Sequence, residues 1–243
     1  WVGLGVVRLS QGRADSARVA FERALAADST SSAALAGLGE VALAQGRAQA
    51  AVGLLERAVR REPALTAAYA GLARAHEQAG NADLAERARR AYTNLQQQDR
   101  EIAQLRRDLA ARPEDAVAAY NLGALHARRR EYALAERYYL QAVRSDSAMA
   151  RAWLNLGNLY TDGRRFDQAL AAVQRAASLD PSYALAWNSL GNIYLLRDRP
   201  DSARVAYERA IRLDPKFVSA YCNLASVLIG KGQFGPAEAR LRQ

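Results

Sequence analysis

The chain of 243 residues is 50% hydrophobic and 24% charged, enough apolar residue for a folded, soluble core over one or two domains. A single cysteine, Cys222, excludes an intrachain disulfide, and neither a run of about 18 apolar residues nor a charged-then-apolar leader is visible, which argues against a membrane span. The net charge of +9 is almost all arginine, since only Lys216 and Lys231 are lysines; a GC-rich coding sequence gives that bias, and a basic face toward nucleic acid is the rival reading.

Aromatic residues make up 7% of the chain and prolines number 6, so alanine, leucine and arginine favour helix throughout. At the start of the chain, Trp1, Leu4 and Gly5 set a spacing that returns 34 residues later at Leu35, Leu38 and Gly39, and again at Tyr69, Leu72 and Ala73. Self-similarity at a fixed period marks a repeat architecture. Each unit reads as two amphipathic helices of about fourteen residues, with leucines and aromatics at i, i+3 and i+7. Gly12, Gly46 and Gly80 stand where the first helix of each pair must end, the place of a left-handed C-cap. Ala17, Ala51 and Ala85 follow on the second helix, where small residues let the backbones approach. A large residue comes next at Phe21 and Leu55, with Arg89 the exception, and then Ala24 and Ala58. Pro63 stops the second helix before the next unit. Three such units predict a first block over 1–95.

From Tyr69 to Ala119 is 50 residues, one period and 16 more. The extra residues fall within 96–112, a polar stretch without Gly or Pro before Pro113. Leu84, Ala88, Ala91, Leu95, Gln98, Ile102, Leu105 and Leu109 alternate at spacings of four and three, a heptad seam interrupted once by Gln98. This predicts one helix over Ala82–Ala111, about 45 Å long, joining the blocks; a short extra helix after a turn at 97–99 is the rival. The added residues turn the helix by about 160° net, so the second block is expected to face another direction.

The second block, 113–243, repeats the spacing at Ala119–Leu122–Gly123, Trp153–Leu156–Gly157, Trp187–Leu190–Gly191 and Tyr221–Leu224–Ala225. Ala135, Ala169, Ala203 and Ala237 hold the small position, Tyr139, Val173, Tyr207 and Leu241 the large one, and Ala142, Ala176 and Ala210 follow. Gly232 falls at the C-cap, and Pro113, Pro181 and Pro215 in the closing frame, giving four units of which the last is incomplete. Asp15–Leu25 (DSARVAFERAL) nearly equals Asp201–Ile211 (DSARVAYERAI), which points to internal duplication. Each pair leaves one face apolar, so the units must stack. The pattern resembles the tetratricopeptide repeat over nearly the whole chain. The resemblance implies an all-α, right-handed α-solenoid of about seven 34-residue helix-turn-helix repeats, with the first helix of each pair lining a concave groove.

Catalysis has little to work with. His76 and His126 read as packing residues and are too far apart for a metal-ligand spacing. Cys222 reads as a small packing residue with no histidine near in sequence. Carboxylates such as Glu22 and Glu208 fall on solvated helix faces, and no glycine loop suits a phosphate. No metal or cofactor is expected.

The more informative set is amide. Asn121, Asn155 and Asn223 precede a Leu-Gly or Leu-Ala pair, Asn158 and Asn192 follow one, and Asn188 stands one turn before Asn192. At i+3 and i+4, Asn155 with Asn158 and Asn188 with Asn192 share a helix face. An amide both donates and accepts, so a row of them can hold a peptide backbone whatever its side chains. The set is similar to the asparagine ladder in the repeat region of O-linked N-acetylglucosamine transferases, and Tyr221–Ala225 (YCNLA) matches those repeats closely. Ser189 departs from the ladder, Gly3, Gly37 and Gly71 hold its place in the first block, and the catalytic domain of that family is absent. Arg74, Arg128 and Arg151 can approach the groove, yet the full basic clamp that chaperone-binding repeats use is missing.

These readings predict a non-catalytic protein–protein interaction scaffold, with the second block holding an extended or helical segment of a protein or peptide. One alternative is the recognition arm of a larger transferase-like enzyme. Another is RNA or DNA binding through Arg106, Arg107, Arg128, Arg129 and Arg130, which the acidic neighbours Glu101, Asp108, Glu131 and Glu136 disfavour. A third is head-to-tail self-association, because Trp1, Leu4 and Val7 at one end and Ala237 and Leu241 at the other are apolar and uncapped. If the chain is a fragment, neighbouring segments supply those caps instead.

Overall fold

The computed structural model describes residues 1–241, with side chains through Glu238; the apolar flank expected of Leu241 lies outside the described side chains. Among the described residues there are fourteen helices and no strand. Helices α1 (Val2–Ser10) and α2 (Ala14–Ala27) form the first pair, and α3 (Ser32–Ala44) and α4 (Ala48–Arg61) the second. The third is α5 (Thr66–Gln78) with the start of α6 (Ala82–Ala111). Then follow α7 (Ala116–Arg128) with α8 (Tyr132–Ser145), and α9 (Ala150–Asp162) with α10 (Phe166–Leu179). The last pairs are α11 (Ala184–Leu196) with α12 (Pro200–Leu213), and α13 (Val218–Gly230) with α14 (Phe234–Leu241). The architecture is an all-α solenoid of seven helix pairs. Its contacts divide into two compact units, Trp1–Gln104 and Leu105–Gln243.

One turn geometry recurs between the helices of each pair. In the first, Gly12 has φ +73°, its N–H donates to the Leu9 carbonyl, and the Arg13 N–H reaches back to the Arg8 carbonyl. The same long bond runs from Arg47 to Ala42, from Asn81 to His76 and from Gln233 to Leu228. This Schellman arrangement requires a left-handed residue, which Gly46, Gly80 and Gly232 supply as expected. The three other turns keep the bond but place Arg130 (φ 61°), Arg164 (φ 57°) and Asp198 (φ 55°) at that point. The tertiary fold imposes the turn even where the residue resists it.

The core follows the small–large pattern. Ala17, Ala51, Ala135, Ala169 and Ala203 are closed to solvent, and so are Phe21, Leu55, Val173 and Tyr207 on the same faces. Arg89, the exception to the large position, is exposed and pairs with Glu77 at 2.8 Å.

Helix α6 runs unbroken for 30 residues, through the point where a turn was the rival. Only half of the expected seam is buried. Ala88, Leu95, Ile102 and Leu109, each seven residues after the last, are covered, whereas Leu84 is 43% exposed. A strict seven-residue row covers one narrow stripe, and Ala85, in the third helix pair, is buried beside its start.

Candidate peptide-binding groove

In the second unit α7, α8 and α9 touch one another, and a cleft of about 410 Å3 opens where they meet. Helix α7 contributes Tyr120, Ala124, Ala127 and Arg128, α8 contributes Tyr132 and Tyr139, and α9 contributes Asn155, Asn158, Leu159 and Asp162. Tyr139 reaches this position because Gly123 leaves room: a Cβ there would lie 2.5 Å from the Tyr139 ring.

A single amide ties the floor together. Asn155 Nδ2 donates to Tyr120 Oη at 3.2 Å and to Tyr139 Oη at 3.3 Å. The two rings lie 6.0 Å apart, and the Arg151 guanidinium stands 4.7 Å over that of Tyr120. Burial pushes the Tyr139 phenol up to about 12, against the opposing pull of the Asn155 hydrogen bond and, more weakly, the Arg128 charge. Arg128 and Asn158 line the cleft with no hydrogen-bond partner within the described residues.

Two periods further along, the same positions form a closed cluster. Asn223 Nδ2 donates to Asn188 Oδ1 at 3.0 Å and to Asn192 Oδ1 at 3.2 Å. The Tyr207 hydroxyl also donates to Asn192 Oδ1, at 2.7 Å. Asn188 is 9% exposed, and its Oδ1 is taken by Asn223.

The sequence-predicted residues therefore fall into two sets. Asn155, Asn158, Arg128 and Arg151 gather around the α7–α9 cleft, and Asn188, Asn192 and Asn223 gather in the later cluster. Asn121 is half-buried on α7 and is not among the residues lining the cleft. The sequence places Tyr139 and Tyr207 only as the large residue of the repeat, and it assigns Tyr120 and Tyr132 no role. A signal for them exists in the spacing, since Tyr139 and Tyr207 each stand 16 residues before the asparagine of the next unit.

The first unit shows the contrasting solution. Phe21 stands where Tyr139 does and Gly37 where Asn155 does, and a Cβ on Gly37 would lie 2.3 Å from the Phe21 ring. Removing both the hydroxyl and the amide leaves an apolar groove of about 420 Å3, lined by residues such as Val2, Val6, Leu9 and Leu65. Elsewhere His126 is 2% exposed, stacks on Tyr138 at 5.3 Å and pairs through Nδ1 with Glu131, a packing role. Among the described residues no group of three or more His, Cys, Asp or Glu is placed to hold a metal ion, and no helix is long and apolar enough to cross a membrane.

Family comparison agrees with this geometry. Tetratricopeptide-repeat profiles match residues 2–65, 42–109, 120–182, 154–216 and 206–240. The chain belongs to the tetratricopeptide repeat family. Two solved structures of the protein MamA resemble this repeat chain at 25% identity. One covers 70% of this chain and 91% of its own with a TM-score of 0.53, the other 73% and 88% with 0.51. Curated protein sequences gave no match. Tetratricopeptide repeats bind other proteins, and this repeat chain is supported as a protein-interaction scaffold on the same ground.

Proposed function

We propose that the second repeat unit holds an extended or helical segment of a partner protein in the α7–α9 cleft, without catalysing a reaction on it. One observation carries the reading: Asn158 and Arg128 face a preformed cleft with no hydrogen-bond partner within the described residues. A preformed surface loses little entropy on binding and gains affinity from many small contacts. The groups that meet in the cleft are phenols, amides, one guanidinium and one carboxylate, a set that grips polypeptide and holds no nucleophile beside a base.

The test is selection of binders from a random-peptide phage library on the full chain, followed by calorimetry on Asn158→Ala and Arg128→Ala. Neither side chain makes a hydrogen bond within the described residues, so both variants are expected to keep the fold, which far-UV circular dichroism checks. Each lost amide contact removes about 0.5–1.5 kcal/mol, and the double variant is expected to bind roughly tenfold more weakly. Undiminished binding by the double variant overturns the assignment of this cleft.

A further inference from the structure

The two tyrosine–asparagine clusters share one frame, and their differences specify a ligand. In the later cluster, Asn192 Oδ1 is the acceptor on which the Tyr207 hydroxyl and the Asn223 amide converge. In the earlier one Ala124 stands in the place of Asn192, so the equivalent donors have no such oxygen, and a cleft lined by Ala124 lies there instead. Tyr139 and Tyr120 each accept from Asn155, which leaves both O–H groups to donate. The charges differ in step. Arg128 and Arg151 flank the earlier cluster, where Leu196 and Ser219 hold the matching positions of the later one. The closed cluster satisfies its donors with two neutral amide oxygens, of Asn188 and Asn192. The open one has the Tyr120 hydroxyl in place of the first, no oxygen in place of the second, and two cations beside it.

We propose that the α7–α9 cleft takes a carboxylate side chain, Asp or Glu, of the bound segment, seated where Asn192 places its carbonyl two units on. The proposal rests on the reading of the cleft as a peptide groove and names the chemistry it selects. One carboxylate oxygen receives the Tyr139 and Tyr120 O–H groups, and Arg128 supplies the opposing charge; charge-assisted bonds of this kind are about twice as strong as neutral ones. Asn158, one turn along α9, has its amide free for the adjoining backbone. Asp162 is the one acidic residue lining the cleft. It is exposed and seven residues beyond Asn155, about 10 Å along the helix, at the position that Arg128 holds one period earlier, so it shares the Arg128 end of the cleft. Of the two charges only that of Arg128 acts on Tyr139.

The test compares Ac-(Ser-Glu)4-NH2 with Ac-(Ser-Gln)4-NH2 on the full chain, by calorimetry and by the Asn155 side-chain amide signals in NMR. The expected result is at least tenfold tighter binding of the glutamate peptide, with the Asn155 amide shifted. Ala124→Asn installs the internal acceptor and is expected to abolish that preference. Tyr139→Phe removes one donor with its ring retained, a change that Phe21 shows the frame accepts, and is expected to cut the preference several-fold. Equal affinity for the two peptides overturns the carboxylate assignment while leaving the groove reading to its own phage-selected binders. A glutamate preference unaltered in both variants overturns it too, as does binding of neither peptide at millimolar concentration.

Discussion

Tyr139 and Tyr207 are phenols drawn into the repeat core by glycines opposite them, and their environment gives them a measurable signature. Burial holds both up to about 12, from an ordinary value of 10.0. A raised value means the folded state keeps the proton more tightly than the unfolded chain, so their stabilising contribution is complete below pH 10 and is lost as pH rises to about 12. Burial also raises Tyr160 and Tyr183, so ultraviolet titration is expected to show a late group of phenolates that includes Tyr139 and Tyr207, and chemical denaturation a stability that falls across that window. In Tyr139→Phe, Tyr207→Phe the late group loses two phenolates and the fall is shallower; an unchanged slope refutes the assignment. The glycines opposite are a second test. Gly191→Ala would place a Cβ 2.3 Å from the Tyr207 ring, and overpacking of this kind costs about 1–3 kcal/mol. Gly53→Ala, on an exposed face of α4 with nothing within 4 Å, should instead stabilise by roughly 0.5–1 kcal/mol. At this scale the asparagines were legible because an amide in a groove position has no packing reason to be there. The tyrosines were not, since an aromatic at the large position of the repeat satisfies packing by its ring alone and its hydroxyl leaves no trace in the hydrophobic pattern. That Asn188 and Asn192 bond to Asn223 rather than stand free was equally hidden, because the acceptor and donor lie one repeat apart.

Among the elements, α6 was the most readable, for its length follows from an absence of Gly and Pro and its seam from a seven-residue count. What the count could not rank was which of two interleaved rows is covered. Ala88, Leu95, Ile102 and Leu109 won, and Leu84 was left exposed. Gln98, the residue that interrupts the seam, keeps its Nε2 on Asn94 at 2.6 Å but leaves Oε1 buried with no partner. An unsatisfied buried acceptor costs about 1–3 kcal/mol. Gln98→Leu removes it and continues the heptad, so the variant is expected to raise stability by about 1 kcal/mol, read as a higher denaturation midpoint at an unchanged m-value. A lower midpoint would show that the amide is held by contacts worth more than the lost carbonyl bond. The turns carry a similar lesson. Four left-handed positions were visible as glycines, but Arg130, Arg164 and Asp198 take the same conformation, and no propensity rule would place an arginine there.

For the whole molecule, repetition decides how stability is distributed. Within each unit, contacts join helices one or two places apart in chain order, so stability approximates a sum of local terms. A lesion in Trp1–Gln104 should then leave Leu105–Gln243 with its own transition. Leu55 is the residue to remove: it is closed to solvent and belongs to the buried cluster of α3, α4 and α5 with Ala88 of α6. Leu55→Ala is expected to cost about 2–5 kcal/mol through lost burial and the cavity left behind. Trp153 and Trp187 both lie in the second unit, and Trp1→Phe makes tryptophan fluorescence report on that unit alone, while far-UV circular dichroism reports on both. In the Trp1→Phe background, Leu55→Ala should shift the early part of the dichroism transition to lower denaturant and leave the fluorescence midpoint in place. The two curves, closer together in the parent, should separate. A fluorescence midpoint that falls in step with the dichroism would mean that the chain unfolds as one cooperative block, and that α6 passes the loss at Leu55 from one unit to the next.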